Sequence, residues 1–318
     1  MRIVFFGSPE FAVPTLQSLA TSPAFDVALV VTQAAKGMSP VEVAANGLGL
    51  PIYKPETLRD PASREPLTAA EPDLFVVAAF GLIFRERTLG IPRQGSINIH
   101  PSLLPKYRGA SPIVAAITAG DHETGVALMV MDAGIDTGAV ISQERALVVD
   151  DDTSESLGGR LARIGAELAV RDIPRWVEGD LVASRQQGSQ ASLTRTLTKA
   201  DGWIDWTRPA ADIERQIRAM WPWPRAWTTH HGSPIQIHQA TVVAVENGMN
   251  DPGSVVLARR KLIVACGEDA LDIQTVEPAG RRTMPASAFL NGLRRPIVRL
   301  GEAGAPEPVP PLIVPVET

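Results

Sequence analysis

Cysteine is nearly absent from this chain of 318 residues. Cys266 stands alone, which excludes an internal disulfide and a multi-thiolate metal site and fits a reducing cytoplasm. The five histidines show no paired spacing, so no metal is expected. Long apolar runs are missing as well: the longest, Leu74 to Phe84, falls well short of the roughly 20 residues that span a bilayer. The opening stretch Met1 to Gly7 carries no basic segment and no small-residue cleavage site, so a soluble protein without a signal peptide is expected. A basic excess is also lacking. The formal charge is −5 and neither half of the chain is basic on average, which argues against a nucleic-acid binder held by bulk charge. Two motifs are missing. The turn after the first strand lacks G-x-G-x-x-G, which disfavours a nicotinamide cofactor, and Ser102 lacks the G-x-S-x-G setting of a hydrolase nucleophile.

What is present is organised around Ile97-Asn98-Ile99-His100-Pro101-Ser102-Leu103-Leu104-Pro105-Lys106-Tyr107-Arg108-Gly109. Strand residues two apart share a face, so Asn98 and His100 point together while Ile97 and Ile99 enter the core. Pro101 stops the strand, and Ser102 to Pro105 wraps over its end, where an open α/β sheet builds its site. A second stretch, Met131-Asp132-Ala133-Gly134-Ile135-Asp136-Thr137-Gly138, follows an apolar run from Gly125 to Val130. Two glycines bracketing Asp136 suggest a tight loop that brings its carboxylate back towards His100. Asn98, His100 and Asp136 are therefore candidates for one site.

In chain order, Arg2 to Phe6 reads as a strand, with Ser8 as the N-cap, Pro9 as the first residue and Glu10 in the first turn of a following helix. Strands follow at Asp26 to Thr32, Pro51 to Lys54 and Asp73 to Phe80, with helices near Val41 and over Pro61 to Ala70. The apolar Asp73 strand leaves through Phe80-Gly81-Leu82-Ile83. A helix from Pro112 to Gly120, strands over Gly125 to Asp132 and Ala139 to Val149, and a long amphipathic helix from Asp152 towards Trp176 complete the pattern. This alternation predicts an α/β, Rossmann-like, doubly wound parallel sheet over residues 1–188. Residues 189–207 read as a linker. Short β-type runs from Pro234 onward, including Pro234 to His238 and Thr241 to Val245, suggest a second, smaller OB-like β-barrel over 208–300. His230 and His231 read as turn residues, and the proline-rich 301–318 as a flexible tail. Trp221 and Trp223, set between prolines, suit the seal of a domain junction better than a stacking platform.

The Asn98/His100 stretch together with Gly134 to Gly138 resembles the hallmark of the folate-dependent formyltransferases. Flanking matches, Phe6 to Ala12, Lys199 to Trp206, Trp221 to Pro224 and Glu277 to Gly280, extend to about Arg295 and resemble the methionyl-tRNA formyltransferase family among them. The resemblance implies a cytoplasmic enzyme of translation initiation that moves the formyl group of 10-formyltetrahydrofolate to the α-amino group of initiator methionyl-tRNA. It implies catalytic roles for Asn98, His100 and Asp136. Folate contacts would come from Phe80, Gly81, Leu82, Ile83, Ser102, Leu103, Leu104, Pro105 and Asp132. Lys36, Lys106, Arg108, Lys261, Arg281 and Arg282 are the candidate tRNA contacts, with Arg259-Arg260 and Arg294-Arg295 as further basic clusters. In the resembled enzymes the segment after the second strand is a longer, glycine-rich, basic loop; here Gln33 to Pro40 keeps only Lys36. That shortening keeps an amino-sugar N-formyltransferase with the same folate donor as the alternative. No membrane and no obligate protein partner is expected.

Formyl transfer to an amine passes through a tetrahedral oxyanion, and donors aimed at developing charge usually make the greatest single contribution to such catalysis. Asn98, through its side-chain N–H, and His100, as a donor, suit that oxygen. Asp136 would fix the His100 ring and accept the amine proton directly or through water. The residues alone leave open whether Asp136 or His100 moves that proton.

Overall fold

The computed structural model describes residues 1–34, 36–245, 251–258, 261–293, 297–302 and 304–316. The amino-terminal part runs β1 (Arg2–Gly7), α1 (Val13–Thr21), β2 (Asp26–Val31), α2 (Pro40–Gly47), β3 (Ile52–Tyr53), α3 (Pro61–Ala69), β4 (Leu74–Ala78), α4 (Glu86–Leu89), β5 (Ser96–His100), β6 (Arg108–Gly109), α5 (Pro112–Ala119), β7 (Glu123–Val130), β8 (Val140–Leu147) and α6 (Ser154–Val177). Seven of these strands form one sheet in the order β3-β2-β1-β4-β5-β7-β8. Its faces follow from the two-residue period: Ile3 and Phe5 join the core under α1 and α6, while Val4 and Phe6 join Phe75 and Val77 on the other face. Gly165 of α6 meets the sheet so closely that a Cβ there would lie 2.7 Å from the Ile99 side chain. Among the described residues no helix is long and apolar enough to cross a membrane.

The expected all-parallel sheet is corrected here. β3 to β5 are parallel, but β7 runs antiparallel to β5 and β8 antiparallel to β7. Ala127 faces His100 and Val130 faces Ile97, so the loop after β7 departs at the amino end of β5 and must double back to reach the site. Ser8 differs from its expected role too. Its hydroxyl accepts from the Gln33 N–H (3.0 Å) and the Thr32 hydroxyl (3.1 Å), tying the ends of β1 and β2 together, and α1 begins only at Val13. The Glu10–Ala12 turn forms without a side-chain cap, so the Ser8 hydroxyl is free to take the Gln33 N–H instead.

The chain continues through β9 (Ser192–Thr194), α7 (Ala210–Ala219), β10 (Ala226–His230), β11 (Ser233–Val243), β12 (Val255–Ala258), β13 (Lys261–Ala265), β14 (Ala270–Pro278), β15 (Met284–Pro285), α8 (Ala286–Asn291) and β16 (Ile313–Pro315). β10-β11-β14-β13-β12, with β15 on β14, make a six-stranded antiparallel sheet over the core formed by Ile213, Ile217, Ile237, Leu262, Leu271 and Phe289. Closure into a barrel is not seen among the described pairings. The two runs expected at Pro234 and Thr241 are one strand with register shifts around Gln239. His230 ends β10, and His231 alone occupies the turn, at φ 49°. Arg259, Arg260, Arg294 and Arg295 lie outside the described residues.

At the junction, Ser154 donates to the Ala219 carbonyl (2.6 Å), Arg218 to that of Asp152 (2.8 Å), and the Trp221 indole to Glu155 (3.0 Å), whereas Trp223 is 55% exposed and does not seal it. A third sheet of short strands, β16-β9-β6, joins the linker to the chain's last stretch. The expectation of a flexible tail therefore fails for 313–315, because these residues find a strand edge to pair with.

Candidate active site

Asn98 and His100 project from β5 on the face opposite Ile97 and Ile99, which are buried among residues of α1 and α6. The loop after β7 is held in shape by Asp132, whose Oδ1 accepts from the Thr137 hydroxyl (2.6 Å) and the Gly134 N–H (3.0 Å). Gly138 sits where a Cβ would lie 1.7 Å from the Val130 carbonyl oxygen, so only glycine lets the loop turn this tightly against its own strand. The result is the expected convergence. Asn98 Nδ2 donates to Asp136 Oδ1 at 3.2 Å, His100 Nδ1 lies 3.5 Å from Asp136 Oδ2, and the Gly109 N–H donates to the same Oδ2 at 2.8 Å.

His100 is buried and its Nε2 lies 2.9 Å from the Tyr107 carbonyl oxygen. A carbonyl only accepts, so Nε2 carries the hydrogen, and Nδ1 is the ring atom left to face Asp136 and exchange a proton. Tyr107 is turned into this position at φ 59°, with its N–H on the Ser192 hydroxyl (2.9 Å) and its own hydroxyl on Asp121 (2.8 Å). Burial, reinforced by Asp121, pushes the Tyr107 phenol well above its ordinary range, so it stays a neutral donor. Ser102, fully buried, donates to the Lys106 carbonyl at 2.6 Å, and Gln143 donates to that of Leu104 at 2.9 Å. These bonds make Ser102 to Pro105 a rigid rim.

The turn Phe80-Gly81-Leu82-Ile83 lies beside this group. Phe80 joins Phe6 and Phe84 in an edge-to-face cluster, and Gly81 lies so close to Gln33 that a Cβ would come within 2.9 Å of its amide. Ile83, Phe84 and Ala133 line one cleft of about 520 Å³, so the turn and the Asp136 loop face each other across it. The rest of its lining is charged, from Arg59, Arg64, Arg85, Glu86 and Arg87, so the cleft joins an apolar wall to a basic one.

The candidate tRNA contacts divide. Lys106 pairs with Asp121 (2.7 Å), Lys261 pairs with Asp272 (2.7 Å), and Arg108 is buried on Gln186 (2.8 and 3.0 Å). Lys106 and Lys261 are nonetheless exposed, as are Lys36 on the amino-terminal sheet's loops and Arg281 and Arg282 on the turn after β14. Sequence reasoning missed Gln186, which donates to the carbonyls of Asp136 and Gly138 (both 2.8 Å) and thereby holds the loop, and it missed Gly109 as the donor to Asp136.

An amide, an imidazole with one committed nitrogen and a hydrogen-bonded carboxylate, set on a mixed α/β sheet, have the chemistry that acyl transfer needs, and the chain that carries them is of the formyl transferase class. The formyl transferase family model matches residues 1–173, and the model of the formyl transferase carboxyl-terminal domain matches 196–294. The chain is 43% identical over 314 residues to the methionyl-tRNA formyltransferase of Roseiflexus sp. RS-1, covering 96% of this chain and 97% of the relative. It is 42% identical over 312 residues to that of Chloroflexus aurantiacus, covering 95% and 100%. The chain belongs to the methionyl-tRNA formyltransferase family. Its fold is also that of the N-formyltransferase from Helicobacter canadensis crystallised with folinic acid and dTDP-3-aminofucose, at 19% identity and a TM-score of 0.64 over 85% of this chain and 98% of that one.

Proposed function

We propose that this protein transfers the formyl group of 10-formyltetrahydrofolate to the α-amino group of initiator methionyl-tRNA, in the cytoplasm. The observation that carries the reading is the Asn98–Asp136–His100 group inside a chain that aligns along 96% of its length with a methionyl-tRNA formyltransferase. Phe80 to Ile83, Ser102 to Pro105 and the Asp132 loop hold the folate. Asn98 has a second amide hydrogen beyond the one on Asp136, and it stabilises the oxyanion as the amine nitrogen attacks the formyl carbon. The amine proton passes to Asp136 or to His100 Nδ1, which face each other, and collapse of the intermediate breaks the bond to folate N10, which takes up a proton.

The catalytic unit spans 1–188, the linker 189–207, the second unit 208–300 and the tail 301–318, with the second unit an OB-like platform for tRNA. Exposed Lys36, Lys106, Lys261, Arg281 and Arg282 are the tRNA contacts, Lys106 and Lys261 oriented by Asp121 and Asp272, while buried Arg108 acts through Gln186. The test is formyl transfer to methionyl initiator tRNA, run beside nucleotide-linked 4-amino sugars. Transfer to tRNA supports the reading. Transfer to an amino sugar alone overturns it in favour of an amino-sugar N-formyltransferase.

A further inference from the structure

We propose that the small β6-β9-β16 sheet positions the Asp136 carboxylate, acting through Thr194, with the strand at 313–315 as its outer brace. The inference rests on the formyl-transfer reading for its kinetic consequence alone. Asp136 sits at φ 50° in a loop whose backbone is held by Asp132 and Gln186, and its Oδ1 takes the Asn98 amide. What fixes Oδ2 is the Gly109 N–H at 2.8 Å.

Gly109 is gripped from both sides by one residue. The buried Thr194 hydroxyl donates to the Arg108 carbonyl (2.9 Å) and accepts from the Ser111 N–H (3.0 Å), and its backbone carbonyl accepts from the Ala110 N–H (3.1 Å). A Cβ at Gly109, which sits at φ 94°, would lie 2.2 Å from that same carbonyl oxygen. Three residues of β9 paired with two of β6 make a marginal unit, because isolated two-stranded pairs are barely stable. β16 supplies the third strand, with Ile313 opposite Thr194. The Arg195 N–H donates to the Leu312 carbonyl (3.3 Å), the Val316 N–H to that of Ala191 (3.1 Å), and the Arg195 guanidinium, paired with Asp201 at 2.5 Å, also donates to the Pro310 carbonyl at 2.6 Å. Leu312 and Ile313 then pack on the cluster of Tyr107, Ala115 and Ala116, and the Tyr107 carbonyl orients His100. The tail thus reaches Asp136 through β9 and β6, and His100 through the cluster that holds Tyr107. Thr194 and the tail touch no reacting atom, so they are positioning residues.

The test uses Thr194→Val, Thr194→Ser and a chain ending at Val309, each compared with the full chain by two measurements. Amide hydrogen exchange at Gly109 needs no substrate, and it should speed up about tenfold or more in Thr194→Val and in the shortened chain while Thr194→Ser stays near the parent. The kcat of formyl transfer should fall about tenfold or more in the same two proteins, with both KM values within about twofold, since a small misplacement of a catalytic group can cost as much as about 100-fold. A synthetic peptide of residues 309–316 added to the shortened chain should restore both readouts. Unchanged Gly109 exchange in Thr194→Val overturns the proposal, and that variant decides if the shortened chain fails to fold. A full-length protein inactive on tRNA would overturn the formyl-transfer reading, while Gly109 exchange would still decide this one.

Discussion

Replacing Asp136 by asparagine keeps the side chain's size and removes both its charge and half of its accepting capacity. Oδ1 now takes the Asn98 amide at 3.2 Å, and Oδ2 takes the Gly109 N–H at 2.8 Å while facing His100 Nδ1 at 3.5 Å. A carboxamide has one oxygen, so whichever way it turns, its NH2 meets a donor: Asn98 in one flip, Gly109 in the other. Losing one charge-assisted hydrogen bond costs about 1.5–3 kcal/mol, and losing a positioned proton acceptor costs about 10²–10⁴-fold in rate. Taking the low end of the second and about tenfold for the misplaced Asn98 amide, the single-turnover rate should fall about 10³-fold or more. The melting temperature should fall by only a few degrees, because the site is partly open to water. Rapid-quench formation of formylmethionyl-tRNA at saturating 10-formyltetrahydrofolate measures the rate, and folate binding is followed separately. An asparagine variant that binds folate and keeps more than about a tenth of the parent rate would refute the assignment of Asp136 as proton acceptor and as anchor of Asn98.

Three further outcomes follow from the same geometry. Gly109→Ala places a methyl 2.2 Å from the Thr194 carbonyl oxygen at φ 94°, so it should lose about 1–3 kcal/mol in urea unfolding. Formyl transfer should fall along with it. For Asp152, Asp172 and Asp201, burial alone would raise the carboxyl pKa, but Arg160, Arg171 and Arg195 respectively hold it below the ordinary 3.8. A folded-state pKa below the unfolded one means that stability is fully present above about pH 4 and is lost as the pH falls through the folded values. Urea midpoints should therefore drop below about pH 4, and Asp201→Asn should flatten that drop while lowering the plateau; a parent protein with a flat profile down to pH 2 would contradict this. Cys266 is buried and its thiol is pushed up to about 12 by burial, so thiol labelling at pH 8 should be slow in the native state and track global unfolding across a urea series.

How much of this was legible in the sequence depends on which atoms carry each role. Asn98 and His100 were readable because a strand's two-residue period puts them on one face and Pro101 marks its end, and Asp136 because glycines flank it. The sense of β7 was not, since an apolar strand has no local mark of direction and the α5 crossover reads as the connection of a parallel pair. Ser8 bears N-cap chemistry in either context, and only the proximity of Gln33 in three dimensions decides its use. β9 and β16 are three residues each, too short for a period, and they pair across more than a hundred positions of sequence. The remaining holders act through the main chain: the Gly109 N–H on Asp136, the Tyr107 carbonyl on His100, the Thr194 carbonyl on Ala110. Every residue but proline carries the same backbone donor and acceptor, so no letter distinguishes those that orient a candidate catalytic side chain from those that do not. The chemistry of this site could therefore be read from three side chains, whereas its precision resides in peptide groups whose partners only the fold reveals.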